Sequence, residues 1–451
     1  MLNIPRRLRK RLLQIALLGF VFLSIAYIVL PPDSSIRLAL RFNAARASAA
    51  VRTATEDRDA WLRLPARYEL DLREDVGYLI KTGYGTRHRV PLQLAALQGS
   101  YGGGLLGKEG KDYIVVGDWT TVDDKDAKKI GVPVHNVLQT VREYGDGDWR
   151  AHHRFKKYQT LQSAIVAGDE ETALEIGRSV GWELDALKFA PGMELMYKTM
   201  PNKKWYLILD DDTFVIKSTL NLFLSHLNPD NAHYIGNAVG DFRGRFAHGG
   251  SAIIISGEAM RRLFRRKDVV RQAYLESLDE KWGDKLVATT FLKLGIYLEE
   301  RYAHHFNGES PEETRVTYDK YCAPILSFHS LRTEAATTRV SRVAGAATKP
   351  VRWGELMELF RPAAGATAGR DHVGPAGADK QIKTWGMVKK AADCERKCEV
   401  ENGKWCLAWT YDKRKETCNA SPWMVPGAGG ADGKESGVNK DALKRMQARC
   451  R

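Results

Sequence analysis

Apolar and polar positions change their rhythm several times along this chain. Residues 12–30 carry no charge, follow Arg6, Arg7, Arg9, Lys10 and Arg11, and stop at Pro31-Pro32. At about 1.5 Å per residue a helix of that length nearly spans a hydrocarbon core of roughly 30 Å. The basic flank predicts a cytosolic N-terminal tail with the rest of the chain across the membrane. A retained anchor is expected rather than a cleaved signal peptide, because the apolar stretch exceeds the usual length of such a segment and no A-x-A site follows it directly. Beyond it, residues 33–73 are rich in Ala and Arg without a strand pattern, which reads as a stem.

Short continuous apolar runs come next. Residues 76–80 end at Lys81-Thr82-Gly83, residues 113–116 at Gly117-Asp118, and residues 205–209 at Asp210-Asp211-Asp212, whereas residues 252–255 follow His248-Gly249-Gly250. Their length and β-branched content predict buried strands. Helical periodicity covers 161–180, 184–200, 258–264 and 285–294. Strands alternating with helices predict an α/β fold with a largely parallel sheet covered on both faces. In such sheets ligands bind beyond the carboxyl ends of the strands, where these polar residues are expected. After Leu331 the chain loosens: 335–349 and 362–378 are rich in Ala, Gly and Thr, with a short helix expected at 353–360. The predicted divisions are a tail at 1–11, an anchor at 12–30, a stem at 31–73, a catalytic domain at 74–335, a trailing segment at 336–380 and a cysteine-rich module at 381–451.

Composition narrows the function classes. The 451 residues, 44% of them hydrophobic, can bury an enzyme-sized core plus accessory pieces and are too apolar for a disordered chain. The net charge of +14 is spread along the sequence, and no basic run interleaves with aromatics, so nucleic acid is not the expected partner. Five of six cysteines, Cys394, Cys398, Cys406, Cys418 and Cys450, cluster near the C-terminal end, which suggests a stapled module made in an oxidising compartment.

Three adjacent carboxylates repel one another, so Asp210-Asp211-Asp212 at a strand end must be solvated or share a cation. Hard oxygen ligands suit Mn²⁺ or Mg²⁺. Gly249-Gly250 reads as a tight turn that also lets backbone approach a ligand. Asp284 precedes a helical spacing of Leu286, Val287, Thr290, Phe291 and Leu294, so it is either an N-cap or an acid with chemistry to do. A phosphatase of the haloacid-dehalogenase type is disfavoured because Phe214 breaks its D-x-D-x-T/V signature.

The run Trp205-Tyr206-Leu207-Ile208-Leu209-Asp210-Asp211-Asp212-Thr213-Phe214 resembles the D-D-D segment of Fringe-like β1,3-glycosyltransferases. The segments Trp182 to Phe189, Ala247 to Ser256 and Ser327 to Leu331 fall in the order that family shows, and the likeness covers roughly residues 74–335. It implies a GT-A nucleotide-sugar-binding fold and an inverting transfer from a UDP-sugar, with Mn²⁺ or Mg²⁺, to a glycan or glycoprotein acceptor. By the same resemblance Asp212 and His329 are metal ligands, and Asp210 and Asp211 contact the sugar nucleotide or water; on the residues alone, His304-His305 is a competing pair to His329. Lys81, Thr82 and Asp118 resemble the uridine and ribose contacts, and Gly249-Gly250 lie against the sugar. Asp284 stands where the family carries its general base, with Asp279 and Glu280 as alternatives, because the vertebrate-like form has adjacent acids there.

In the tail, Cys394-x₃-Cys398 reads as helical and is followed by Cys406 and Cys418. No histidine follows His372, so a zinc site is not expected there. The pattern resembles a PAN/apple module, a small disulfide-stapled α+β unit that binds protein or carbohydrate. Four cysteines permit three pairings, and Cys450 pairs with Cys322 or stays free. Asn419-Ala420-Ser421 is a candidate N-glycan acceptor. Together these readings place the expected enzyme in the Golgi or endoplasmic reticulum as a single-pass type II membrane protein. The rival outside enzymes is an inactive lectin-like scaffold with the same fold.

Overall fold

A computed structural model describes residues 6–55, 57–99, 104–121, 130–141, 151–360, 369–374, 380–402, 404–427 and 431–450. Residues 1–5 of the basic tail and residues 361–368 and 375–379 of the trailing segment lie outside the described residues. Helix α1 (Arg6–Val29) contains, at Lys10–Val29, a stretch long and apolar enough to cross a membrane. In residues 33–73, read as a stem, the Ala-rich stretch, favourable for helix, forms α2 (Ser35–Thr55). The junction rests on the body of the protein, with the Tyr297 hydroxyl donating to the Pro32 carbonyl at 3.0 Å and the Arg41 guanidinium lying 3.7 Å from the Tyr297 ring centroid.

The central sheet has six strands: β1 (Val76–Lys81), β2 (Tyr113–Gly117), β3 (Val134–Asn136), β4 (Trp205–Asp210), β5 (Tyr234–Gly236) and β6 (Ile253–Ser256), in spatial order β3-β2-β1-β4-β6-β5. β1 and β2 are buried along their whole length, which is why they read as continuous apolar runs rather than alternating ones. β3, β2, β1 and β4 pair in parallel, as expected. β6 departs from the expectation, because it pairs antiparallel with both β4 and β5. A reversed strand needs no helical crossover to reach its neighbour, and here the loop 237–252 suffices.

Two helical expectations shift at their ends. Instead of breaking near residue 182, the chain breaks at Gly168 (φ 73°), between α3 (His153–Val166) and α4 (Glu170–Thr199). Asp169 caps α4 by accepting the Thr172 N–H at 3.1 Å, a stronger punctuation than the Gly181-Trp182 step that sequence periodicity suggested. The helices expected at 258–264 and 285–294 form, the second as α5 (Gly283–Leu292). Part of the loosened segment is helical too: α6 (Glu334–Ala344) is capped by Thr333 and buries Val340 and Ala344.

The C-terminal module packs α7 (Ala391–Arg396) on an antiparallel sheet of β7 (Lys383–Trp385), β8 (Ala408–Asp412), β9 (Thr417–Ser421) and β10 (Lys434–Val438), in order β7-β9-β8-β10. Cys394–Cys418 and Cys398–Cys406 staple it, and Cys322–Cys450 ties its end back to the larger domain. Asn419 lies within β9, where its Oδ1 accepts the Thr384 hydroxyl at 2.7 Å.

Candidate active site

Lys81 ends β1 directly opposite Asp210 at the end of β4. Its ammonium lies 2.9 Å from Asp210 and reaches both oxygens of Asp185, at 3.0 and 2.9 Å, over the Phe189 ring. Burial alone would lower the Lys81 pKa; Asp185 and Asp210 more than offset it and hold the amine protonated. Asp185 sits four residues before Phe189 on one face of α4, so one helical turn supplies both the partner carboxylate and the ring.

The next two acids turn away from Lys81. Asp211 accepts the hydroxyls of Thr82 at 2.7 Å and Thr86 at 2.5 Å, and burial pushes its carboxyl up to about 6 despite those bonds. Arg89 reaches both Asp211 and Asp212 at 3.3 Å, and Arg332 approaches Asp212 at 3.6 Å. His329 arrives from the far end of the domain because Ser327 and Phe328 pair antiparallel with Val215 and Phe214, which sets the following turn against Asp212. The Leu331 N–H donates to the Asp212 carbonyl at 3.1 Å, and Ser330 adopts φ 61° to make the turn.

His329 Nε2 lies 3.1 Å from Asp212 Oδ1, and its Nδ1 lies 3.2 Å from the Gly308 carbonyl. Burial raises the Asp212 carboxyl, but His329 and the two arginines outweigh it and hold the group below the usual range; His329 is held above its ordinary value by the same pairing, against burial. A carbonyl only accepts, so in the neutral ring Nδ1 carries the proton and Nε2 presents its lone pair. Neighbouring donors of an octahedral ion at about 2.1 Å stand about 3 Å apart. The pair fits a divalent cation, including the outer hydrogen bond that metal-bound histidines make.

Gly249 and Gly250 form a tight turn at the start of β6. A Cβ on Gly250 would fall 2.2 Å from His329 Nε2, and the Gly250 carbonyl accepts the Thr213 hydroxyl at 2.8 Å, so any side chain there would displace the histidine. The Gly249 N–H donates to Asp284 Oδ2 at 2.9 Å. Asp284 is not an N-cap, since Trp282 occupies that position and Asp284 lies in the first turn of α5. Burial lifts its carboxyl to about 6, partly countered by the Gly249 N–H and Lys81. The alternatives lie elsewhere: Asp279 pairs with His152 and Glu280 with Lys285.

Asp118 is fully buried, 3.1 Å from Lys188 and accepting the Tyr84 N–H at 2.8 Å. It therefore stands behind the Thr82–Thr86 loop. His304 and His305 are not at the acidic edge and contact Asp59 instead. Sequence reasoning passed over Arg89, Arg332 and the pairing role of Asp185. The i, i+3, i+4 spacing of Asp185, Lys188 and Phe189 was the available signal for the last, while nothing local marks either arginine.

Residues 183–354, which include this acidic strand edge, match the family model described as Fringe-like. Residues 367–426 match the PAN domain model, so the chain carries a Fringe-like domain followed by a PAN domain. No curated protein matches the chain.

Proposed function

We propose that the protein transfers a hexosyl unit from a UDP-sugar to a glycan or glycoprotein hydroxyl with inversion, forming the β1,3 linkage that the Fringe-like resemblance implies. The observation that carries the reading is the pairing of two unlike groups at one sheet edge: the Asp212–His329 donor pair and the Asp284 carboxyl held by Gly249. In this reading the catalytic domain at 74–335 has the GT-A fold, and Asp212 and His329 hold Mn²⁺ or Mg²⁺. The ion, when bound, neutralises charge developing on the departing diphosphate. Asp210 and Asp211, with Lys81 and Thr82, shape the donor pocket; Asp118 supports it from beneath; Gly249 and Gly250 let the sugar approach backbone.

Asp284 takes the proton of the acceptor hydroxyl as that oxygen attacks the anomeric carbon, on the face opposite the leaving diphosphate. Trp182 and Trp282, 57% and 43% exposed, flank the Lys281 ammonium at 5.5 and 5.4 Å near the start of α5. Such exposed rings suit a carbohydrate acceptor. Residues 12–30 anchor the chain in the Golgi or endoplasmic-reticulum membrane, residues 31–73 and 336–380 flank the catalytic domain, and the module at 381–451 recruits a protein or carbohydrate partner.

The test is a screen of UDP-galactose, UDP-glucose and UDP-N-acetylglucosamine hydrolysis by the detergent-solubilised chain, with and without Mn²⁺. Metal-dependent release of UDP from one donor is expected. Silence with every donor in both conditions rejects the assignment in favour of a scaffold.

A further inference from the structure

Among the described residues, Asp59, His304 and His305 form a group of three metal-ligating side chains, one donor atom from each lying within 4.8 Å of the others. Asp59 immediately precedes the 3-10 turn Ala60–Arg63 that follows the stem helix, and the two histidines end the 3-10 turn Glu300–His305 of the larger domain. Asp59 Oδ1 lies 2.8 Å from His304 Nε2 and 3.2 Å from His305 Nε2. Arg58, next in the chain, is turned onto Asp319 at 3.2 Å, which leaves the Asp59 carboxylate to the histidines.

The chemistry of His305 is the informative part. It is 0% exposed, and its Nδ1 lies 2.8 Å from the Pro324 carbonyl. A carbonyl cannot donate, so Nδ1 carries a proton. In the neutral ring Nε2 then turns a lone pair on a carboxylate oxygen, and that nitrogen makes no hydrogen bond despite the short approach. Two acceptors facing each other in a buried site repel unless a positive centre lies between them. A cation shared with His304 resolves the conflict at all three groups.

We propose that Asp59, His304 and His305 form a second metal site, suited to Zn²⁺ or a similar transition ion, that clasps the stem junction to the catalytic domain. Two imidazoles and one carboxylate are a usual zinc donor set, and donors about 2.0–2.1 Å from a tetrahedral ion stand about 3.3 Å apart. The two Asp59–imidazole separations, 2.8 and 3.2 Å, need to open by at most about half an ångström to reach that spacing. The His305–Pro324 bond is the outer-shell contact that fixes a ligating ring. His304 also lines a cleft of about 990 Å³ beside the stem helix, which leaves an entry path and room for a fourth donor. Trp61, two residues past Asp59, packs on Phe223 and Tyr302, so the clasp closes over an aromatic cluster.

The site is independent of the transfer reaction, and its test reads metal rather than activity. The full chain, purified in detergent without chelator, is loaded with Zn²⁺, gel-filtered and assayed for bound metal; Co²⁺ replacement is followed by visible absorption. Retained zinc near one per chain and a tetrahedral cobalt band are expected, both surviving in Asp212→Asn. Asp59→Asn, which keeps a hydrogen-bonding oxygen, and His305→Gln should weaken zinc by more than the roughly 10–100-fold that losing an outer-shell partner costs. No retained zinc and no cobalt band in the parent overturns the proposal. So does zinc that is lost from Asp212→Asn and kept by Asp59→Asn, since the metal then belongs to the acidic edge.

Discussion

Asp284 and Gly249 are joined by a 2.9 Å hydrogen bond from backbone to carboxylate, although 35 residues separate them. The bond ties the start of α5 to the turn that opens β6, and it aims the carboxyl at the same edge as the acidic triplet. One oxygen is engaged by Gly249, and the other accepts the Lys285 N–H at 2.9 Å.

Asp284→Asn keeps an oxygen for Gly249 and removes the proton acceptor. Transfer should fall by roughly 10²-fold or more, the usual scale for general-base catalysis, while UDP binding stays near the parent value and the melting temperature at neutral pH does not fall. Steady-state rates beside a thermal melt decide this, and a parental rate would reject the assignment.

The pH profile follows from the same environment. Burial lifts the Asp284 carboxyl to about 6, so the carboxylate needed as base is lost as pH falls through 6, and the rate should fall with it. Stability runs the other way. The folded state holds this proton more tightly than the unfolded chain, whose value is 3.8, so the group favours folding most below that value and progressively less as pH rises toward 6. Rate and melting temperature measured from pH 4.5 to 8 should therefore shift in opposite senses for this group, and Asp284→Asn should abolish both trends.

Asp212→Asn should remove most metal-dependent UDP affinity without unfolding the domain, as should His329→Ala. Calorimetric titration of UDP with and without Mn²⁺ reads the effect, and unchanged metal dependence in both variants would dismiss the pair as ligands.

Gly250→Ala places a methyl group 2.2 Å from His329 Nε2. The histidine must move, so metal-dependent binding should weaken although no charge has changed. A Gly250→Ala protein with parental Mn²⁺ dependence would show that His329 has no fixed role.

Mass mapping without reduction should find Cys394 with Cys418, Cys398 with Cys406 and Cys322 with Cys450. Replacing Cys450 by Ser opens a connection across 128 residues and should cost about 2–5 kcal/mol in the unfolding of the joined domains. Any other pairing contradicts this arrangement.

The strands buried on both faces are legible in the chain, because a run such as residues 205–209 carries its burial in its composition. Equally legible are the three acids that end that run and the cysteine-rich unit that closes the chain, since both are local patterns. Periodicity could not find the helix break at Gly168, because a single left-handed residue and an adjacent cap override it, and the Ala-rich stem hid a helix behind a composition also suited to a tether. The tertiary structure alone decided how the site is assembled. A parallel strand delivers its C-terminal residues to the ligand edge, whereas residues preceding a parallel strand belong at the opposite edge. Gly249 and Gly250 reach the Asp212 side only because β6 runs antiparallel between β4 and β5. His329 reaches it through the pairing of 327–328 with 214–215, and His304 and His305 are drawn instead to Asp59. These meetings depend on strand direction and register between segments up to 245 residues apart, which no local spacing encodes.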